Sequence, residues 1–183
     1  MTGTDDLRAE HRAVGRMLDI MDEVAGSARR GERVSLEDLS GVVDFLRVFV
    51  DTCHHSKEEE LLFPAMRAER IPGADDVIAG LHADHVRGRD AVSRIALSAA
   101  SPDAADGSTR AELVEAISGY TQLLRAHIVR EERDCFDLAD RELPPVVQER
   151  LNEGYERIER EVVGGGVHEE FHALLDRLAR TYH

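Results

Sequence analysis

Two stretches of this chain repeat one chemical skeleton. His54-His55-Ser56-Lys57-Glu58-Glu59 and His127-Ile128-Val129-Arg130-Glu131-Glu132 both read His-x-x-x-Glu-Glu, and each is followed by a Phe nine residues after its His, Phe63 and Phe136. Residues four apart share one face of a helix, so each copy aims an imidazole and a carboxylate the same way. Two such pairs facing each other across a bundle make a two-metal carboxylate site. Imidazole with carboxylate suits iron, manganese or zinc, and bridging carboxylates favour a pair of iron or manganese ions.

The elements that must carry these pairs are legible as apolar stripes at helical spacing. Over residues 5–26 one line runs Leu7, His11, Val14, Leu18, Met21 and Ala25, with a His on it. Ser35-Leu36-Glu37-Asp38 has the form of a capping box and predicts the start of a second helix. Its stripe is Leu39, Val43, Leu46, Val50, His54, Glu58, Leu61 and Ala65, with Pro64 expected to kink or close it and Ile71-Pro72-Gly73 to turn the chain. A third helix over residues 74–99 aligns Ile78, Leu81, His85, Gly88, Val92, Ile95 and Ala99. Gly88 costs helix stability, so it serves either to leave room beside His85 or to let a neighbouring helix pack closely.

Residues 101–108 read as a loop, and Thr109-Arg110-Ala111-Glu112 as a second capping box. The fourth stripe is Leu113, Ile117, Tyr120, Leu124, His127, Glu131, Asp134 and Leu138. Pro144-Pro145 opens a shorter helix to about residue 162, Gly164-Gly165-Gly166 breaks it, and His168-Glu169-Glu170-Phe171-His172 leads a last amphipathic segment. Strand alternation and hairpin signals are absent from the sequence. The expected fold is all-α: an up-down-up-down four-helix bundle over residues 1–140, with additional C-terminal helices over residues 141–183 packed on the same domain.

A single His on an apolar stripe is ordinarily a hydrogen-bonded core residue. A Glu there is harder to dismiss, because a buried carboxylate needs a metal, an Arg or a proton as partner. Here four stripes each carry a His, and two also carry a Glu at the i+4 position. The candidate metal ligands are therefore His11, His54, Glu58, His85, His127 and Glu131. Six such donors are too many for one catalytic zinc and few for two six-coordinate ions, so exchangeable positions remain for a small ligand.

Composition narrows the class further. The chain has 183 residues and a formal net charge of −14, which repels phosphate and makes nucleic acid and anionic membrane surfaces poor partners. No apolar run is long enough for a signal peptide or a span, and two cysteines, Cys53 and Cys135, are too few for a disulfide scaffold. A reducing cytoplasm is the expected compartment, with both thiols read as small buried residues.

The order His, then His-x-x-x-Glu followed by Leu61-Leu62-Phe63-Pro64, then His, then His-x-x-x-Glu resembles the hemerythrin-like (HHE cation-binding) domain, over about residues 5–140. The resemblance implies His11 as the first-helix ligand, His54 with Glu58 on the second helix, His85 on the third and His127 with Glu131 on the last. It implies two iron ions bridged by oxide or hydroxide. It sets the register on His54 and Glu58, leaving His55 to flank the site or support it from behind and Glu59 among the surroundings. The ending from His168 to Tyr182 also resembles a C-terminal extension of bacterial members.

Two departures bear on function. Oxygen carriers of the family have His-x-x-x-His on the third helix, where this chain has Arg89, so a fifth imidazole is absent there unless His82 supplies it. They use His-x-x-x-x-Asp on the last helix, where this chain has the shorter spacing to Glu131. The resemblance is thus closer to members with redox or sensing roles than to reversible oxygen carriers. It implies a di-iron protein that binds and reduces hydrogen peroxide, dioxygen or nitric oxide in stress defence, with peroxidase- or catalase-like activity. The competing expectations are a non-catalytic oxygen, redox or iron sensor, and a helical interaction protein with incidental buried histidines.

Overall fold

The computed structural model describes residues 2–100, 107–164 and 166–182, and among these the regular structure is entirely helical. We number six helices: α1 (Asp5–Arg29), α2 (residues 36–68), α3 (Ala74–Ala99), α4 (residues 107–142), α5 (residues 145–163) and α6 (Val167–Thr181). The capping prediction holds at α2, where the Ser35 side chain accepts the Asp38 backbone N–H. Gly73, with φ of 81°, provides the left-handed turn into α3. The helix expected to open at Thr109 is already formed at Gly107. The loop expected over 101–108 lies outside the described residues up to 106.

Pro64 does not close the second helix. Residues Phe45–His55 and Lys57–Leu62 make the wider i→i+5 turns of a π-helix, and Pro64 falls in the first turn of the α-helical stretch Phe63–Ala68 that follows. There its missing N–H breaks no continuous α-helical ladder. The same widening recurs over Glu132–Phe136 in α4, just past the second His-x-x-x-Glu pair.

Two apolar clusters show how the helices run. Leu7 at the start of α1 packs with Leu62, Phe63 and Met66 late in α2, Ile78 and Leu81 early in α3, and Cys135 and Phe136 late in α4. Val24 at the other end of α1 packs with Leu39 and Val43 early in α2, Ile95 late in α3, and Leu113 and Ile117 early in α4. Successive helices are therefore antiparallel. Helix α5 adds Leu151 and Tyr155 to the first cluster, and α6 adds Leu175 and Leu178, with Tyr182 just past its end, to the second. Among the described residues no helix is long and apolar enough to cross a membrane.

Candidate metal centre

Between the two apolar clusters lies a polar layer. It is formed where each stripe changes from Leu or Val to His or Glu: His11 between Leu7 and Val14, His54 and Glu58 between Val50 and Leu62, His85 between Leu81 and Val92, and His127 and Glu131 between Leu124 and Cys135. All six side chains are buried, and Glu58 and Glu131 are 0 % exposed.

The layer divides into two donor groups. His11, His54, Glu58 and Glu131 have ligand atoms within 4.8 Å of one another, and so do His55, His85 and His127. The carboxylates join the halves. Glu58 sets Oε1 3.1 Å from His54 Nε2 and Oε2 3.5 Å from His85 Nε2. Glu131 Oε2 lies 3.3 Å from His11 Nε2 and 3.2 Å from His127 Nε2.

Each imidazole is held from behind by a carboxylate at its other nitrogen. Nδ1 of His11 pairs with Glu132 at 2.9 Å, of His54 with Glu10 at 2.8 Å, of His85 with Glu59 at 2.7 Å, of His127 with Asp84 at 3.3 Å and of His55 with Asp51 at 3.2 Å. An ionised carboxylate only accepts, so Nδ1 carries a proton and Nε2 is the nitrogen pointing into the layer. This is the arrangement that orients metal-binding histidines.

The inner atoms are orphaned. Nε2 of His11, His54, His85 and His127 and both carboxylate oxygens of Glu58 and Glu131 are buried without a hydrogen-bond partner among the described residues. Leaving such groups unpaired costs roughly 1–3 kcal/mol each, and more when charged. A set of imidazole nitrogens and carboxylate oxygens converging at these separations fits divalent or trivalent transition-metal ions.

Protonation follows the same geometry. Burial pushes the His54 imidazole down, but Glu58 and Glu10 outweigh it and hold the ring well above its ordinary value. Burial would likewise raise the Glu131 carboxyl, yet His127 and His11 hold it well below the usual carboxylate range. Burial, with His85 beside it, brings His55 down to about 4 against the opposing Asp51 hydrogen bond, so its ring is neutral at pH 7 and can donate a lone pair.

Three neighbours of the ligands take defined places. His55, expected to flank the site or support it from behind, is 5 % exposed and its ring stacks on His85 at 3.9 Å between centroids. The π-helical turn carries more residues per turn, which narrows the angle between neighbouring side chains and lets His54 and His55 both face inward. His82 is exposed and does not approach the layer. Arg89, at the position where oxygen carriers have His, donates to Asp51 at 2.7 Å and to Glu59 at 2.9 Å, clamping two carboxylates that orient imidazoles.

Lys57 escaped the sequence reading altogether. It is 0 % exposed, and its ammonium lies 2.5 Å from Glu10 and 2.5 Å from Glu159 of α5. Burial alone would lower its pKa, but Glu10 and Glu159 raise it. The one available signal was composition: this is the only lysine of the chain, inside its most chemically loaded stretch. Helix α5 also approaches α2 closely, since a Cβ on Gly154 would come within 2.8 Å of Leu61. Both cysteines are buried and neither is in a disulfide, with Cys135 Sγ 3.6 Å from Met66 Sδ. His172 is exposed, whereas the His168 side chain and His183 lie outside the described residues.

A four-helix bundle with a buried layer of imidazoles and carboxylates defines a metal-binding class of protein, and sequence comparison specifies which. The hemerythrin HHE cation-binding domain model matches residues 2–139, and the chain belongs to that family. It is 25 % identical over 136 residues to the uncharacterized proteins Rv1995 of Mycobacterium tuberculosis and Mb2018 of Mycobacterium bovis, a match covering 74 % of this chain and 52 % of each relative. The chain thus spans about half the length of the curated relatives it matches. No solved structure matches it. Helices α5 and α6 lie beyond the matched residues.

Proposed function

We propose that this chain is a di-iron protein that binds and reduces a small oxidant, of the class of hydrogen peroxide, dioxygen or nitric oxide. The two ions would be held by His11, His54, Glu58, His85, His127 and Glu131, with His55 as a fifth imidazole on the side of His85 and His127. The observation that carries this reading is the set of eight orphaned inner atoms: four Nε2 and four carboxylate oxygens. Zinc alone would leave the seven-donor set over-provided, while a pair of iron ions would be served by both carboxylates and would retain positions for an oxidant.

Bound iron supplies the electrons; the chain supplies everything else. Glu58 and Glu131 link the two donor groups, and the Nδ1-bound carboxylates fix the imidazole tautomers. The apolar clusters on either side keep bulk water from the layer. Two buried cysteines without a disulfide suit a reducing cytoplasm, the compartment proposed for its action in oxidative or nitrosative stress.

Metal analysis with the visible spectrum, followed by oxidant consumption against an equal amount of free iron, tests the reading. About two irons per chain and consumption above the free-iron rate are expected. Iron without consumption would leave a non-catalytic sensor or binding protein, and absence of bound metal would leave a helical interaction protein.

A further inference from the structure

A cavity of about 210 Å³, partly open to solvent, lies against the three-imidazole half of the layer and is bordered by α2, α3 and α4. His55, His85 and His127 line it together with charged side chains that include Asp51 and Asp84, and Leu46, Val50, Val92 and Leu124 contribute apolar wall. A diatomic oxidant or hydrogen peroxide needs far less room. One water occupies about 30 Å³ of liquid, and an apolar cavity of about 150 Å³ accepts benzene.

Three features suit the space to an organic occupant. Gly88 borders it, and a Cβ there would meet nothing nearer than the Tyr120 ring at 4.0 Å, so the glycine leaves volume and does not serve close helix packing. Tyr120 is 2 % exposed and lines the cavity, and among the described residues no hydrogen bond of its hydroxyl is seen. A phenol bordering the cavity can bond a ligand oxygen. Arg89 is anchored to Asp51 and Glu59, so its guanidinium is spent on the rim.

We propose that this cavity binds a compact organic hydroperoxide, its apolar body against Leu46, Val50, Val92 and Leu124 and its peroxy end toward the imidazoles, with Tyr120 hydrogen-bonding to an oxygen. The proposal rests on the oxidant-reducing reading above and names the substrate class. Reduction breaks the O–O bond and consumes two electrons and two protons, yielding the alcohol and water. Two ferrous ions of the loaded protein, each oxidised to ferric, are the electron source.

The product alcohol allows a test free of turnover. Cumyl alcohol titrated into zinc-loaded protein and followed by ligand NMR should bind saturably. Gly88→Leu, which fills the space beside Tyr120, should weaken that binding about tenfold or more. Tyr120→Phe keeps the ring and folding intact, and should weaken cumyl alcohol while leaving cumene binding as it was. Absence of saturable binding, or binding indifferent to both substitutions, overturns the site. With iron-loaded protein, selectivity for cumene hydroperoxide over hydrogen peroxide should fall about tenfold in Gly88→Leu. Consumption of hydrogen peroxide alone overturns the present proposal and leaves the oxidant-reducing reading standing. Binding of the alcohol with consumption of no peroxide overturns that reading instead.

Discussion

The Lys57 ammonium and the Glu10 carboxylate meet 2.5 Å apart with almost no solvent around either, and Glu10 then holds His54 Nδ1 at 2.8 Å. A residue of α2, one of α1 and the partner Glu159 of α5 therefore form a chain of contacts ending on a candidate ligand. Lys57→Met should leave the Glu10 carboxylate buried without its ammonium. The metal-free protein is expected to lose about 3–5 kcal/mol in chemical denaturation, the usual result of breaking a buried pair from one side. Glu159→Gln should cost less, because Glu159 is 37 % exposed and water can replace it. Equal losses for the two variants would show that the contact with α5, not the buried pair, dominates.

Metal should stabilise the fold strongly. Ligands that bind only the native state add RT ln(1 + [L]/Kd), about 4 kcal/mol at a thousandfold excess over Kd. Melting curves with and without iron should differ accordingly. Glu58→Ala and Glu131→Ala should abolish the difference, since both oxygens of each carboxylate are orphaned without a partner. A metal-dependent shift that survives either substitution would remove that carboxylate from the ligand set.

His55 and His82 offer a direct comparison. His55 is buried and stacked on His85, whereas His82 is exposed. His55→Ala should lower metal affinity and change the visible spectrum of the iron-loaded protein, while His82→Ala should do neither. Glu59→Ala should weaken metal binding by about 10–100-fold, as expected when the group orienting a ligating His is removed. Competition titration with a coloured chelator measures all three.

Acid should destabilise the metal-free protein. Burial would raise Glu10 and Glu59, but His54 and Lys57 in one case, and His85 and Arg89 in the other, bring both from 4.5 to about 2. A carboxylate depressed on folding stabilises above its unfolded pKa, so this contribution is complete above about pH 4.5 and disappears as pH falls toward 2. His54 and His127 act oppositely. Each is raised on folding, so each stabilises below about pH 6.5 and the contribution is lost as pH rises through the folded value. Since metal must displace those protons, binding at neutral pH should release protons and strengthen as pH rises. Calorimetry in buffers of different ionisation enthalpy counts the release; none at pH 7 would mean that His54 is already neutral.

The helices were written locally. Apolar residues at i, i+3 and i+4, a Ser35 cap and the breakers at Gly73 and Pro144 place α1 to α5 because helix formation depends on near neighbours. The same spacing marked His54 with Glu58 and His127 with Glu131, because residues four apart share a face whatever the helix packs against. His11 and His85 stood out through their positions on otherwise apolar stripes.

Other relationships existed only between helices. That Glu10 faces His54, Asp84 faces His127 and Glu159 faces Lys57 is set by how four antiparallel helices and α5 rotate against one another, and no spacing along one helix encodes it. The place of His55 has a related cause. A 3.6-residue period turns it away from His54, whereas the wider π-helical turn brings both rings inward. The sequence by itself thus determined that this chain would be a helical bundle with imidazoles and carboxylates on its buried faces, since period and side-chain chemistry are properties of short segments. Tertiary structure alone decided which carboxylate steadies which imidazole and how much space Gly88 leaves beside them, because those depend on the rotation and separation of helices that meet only when the core is packed.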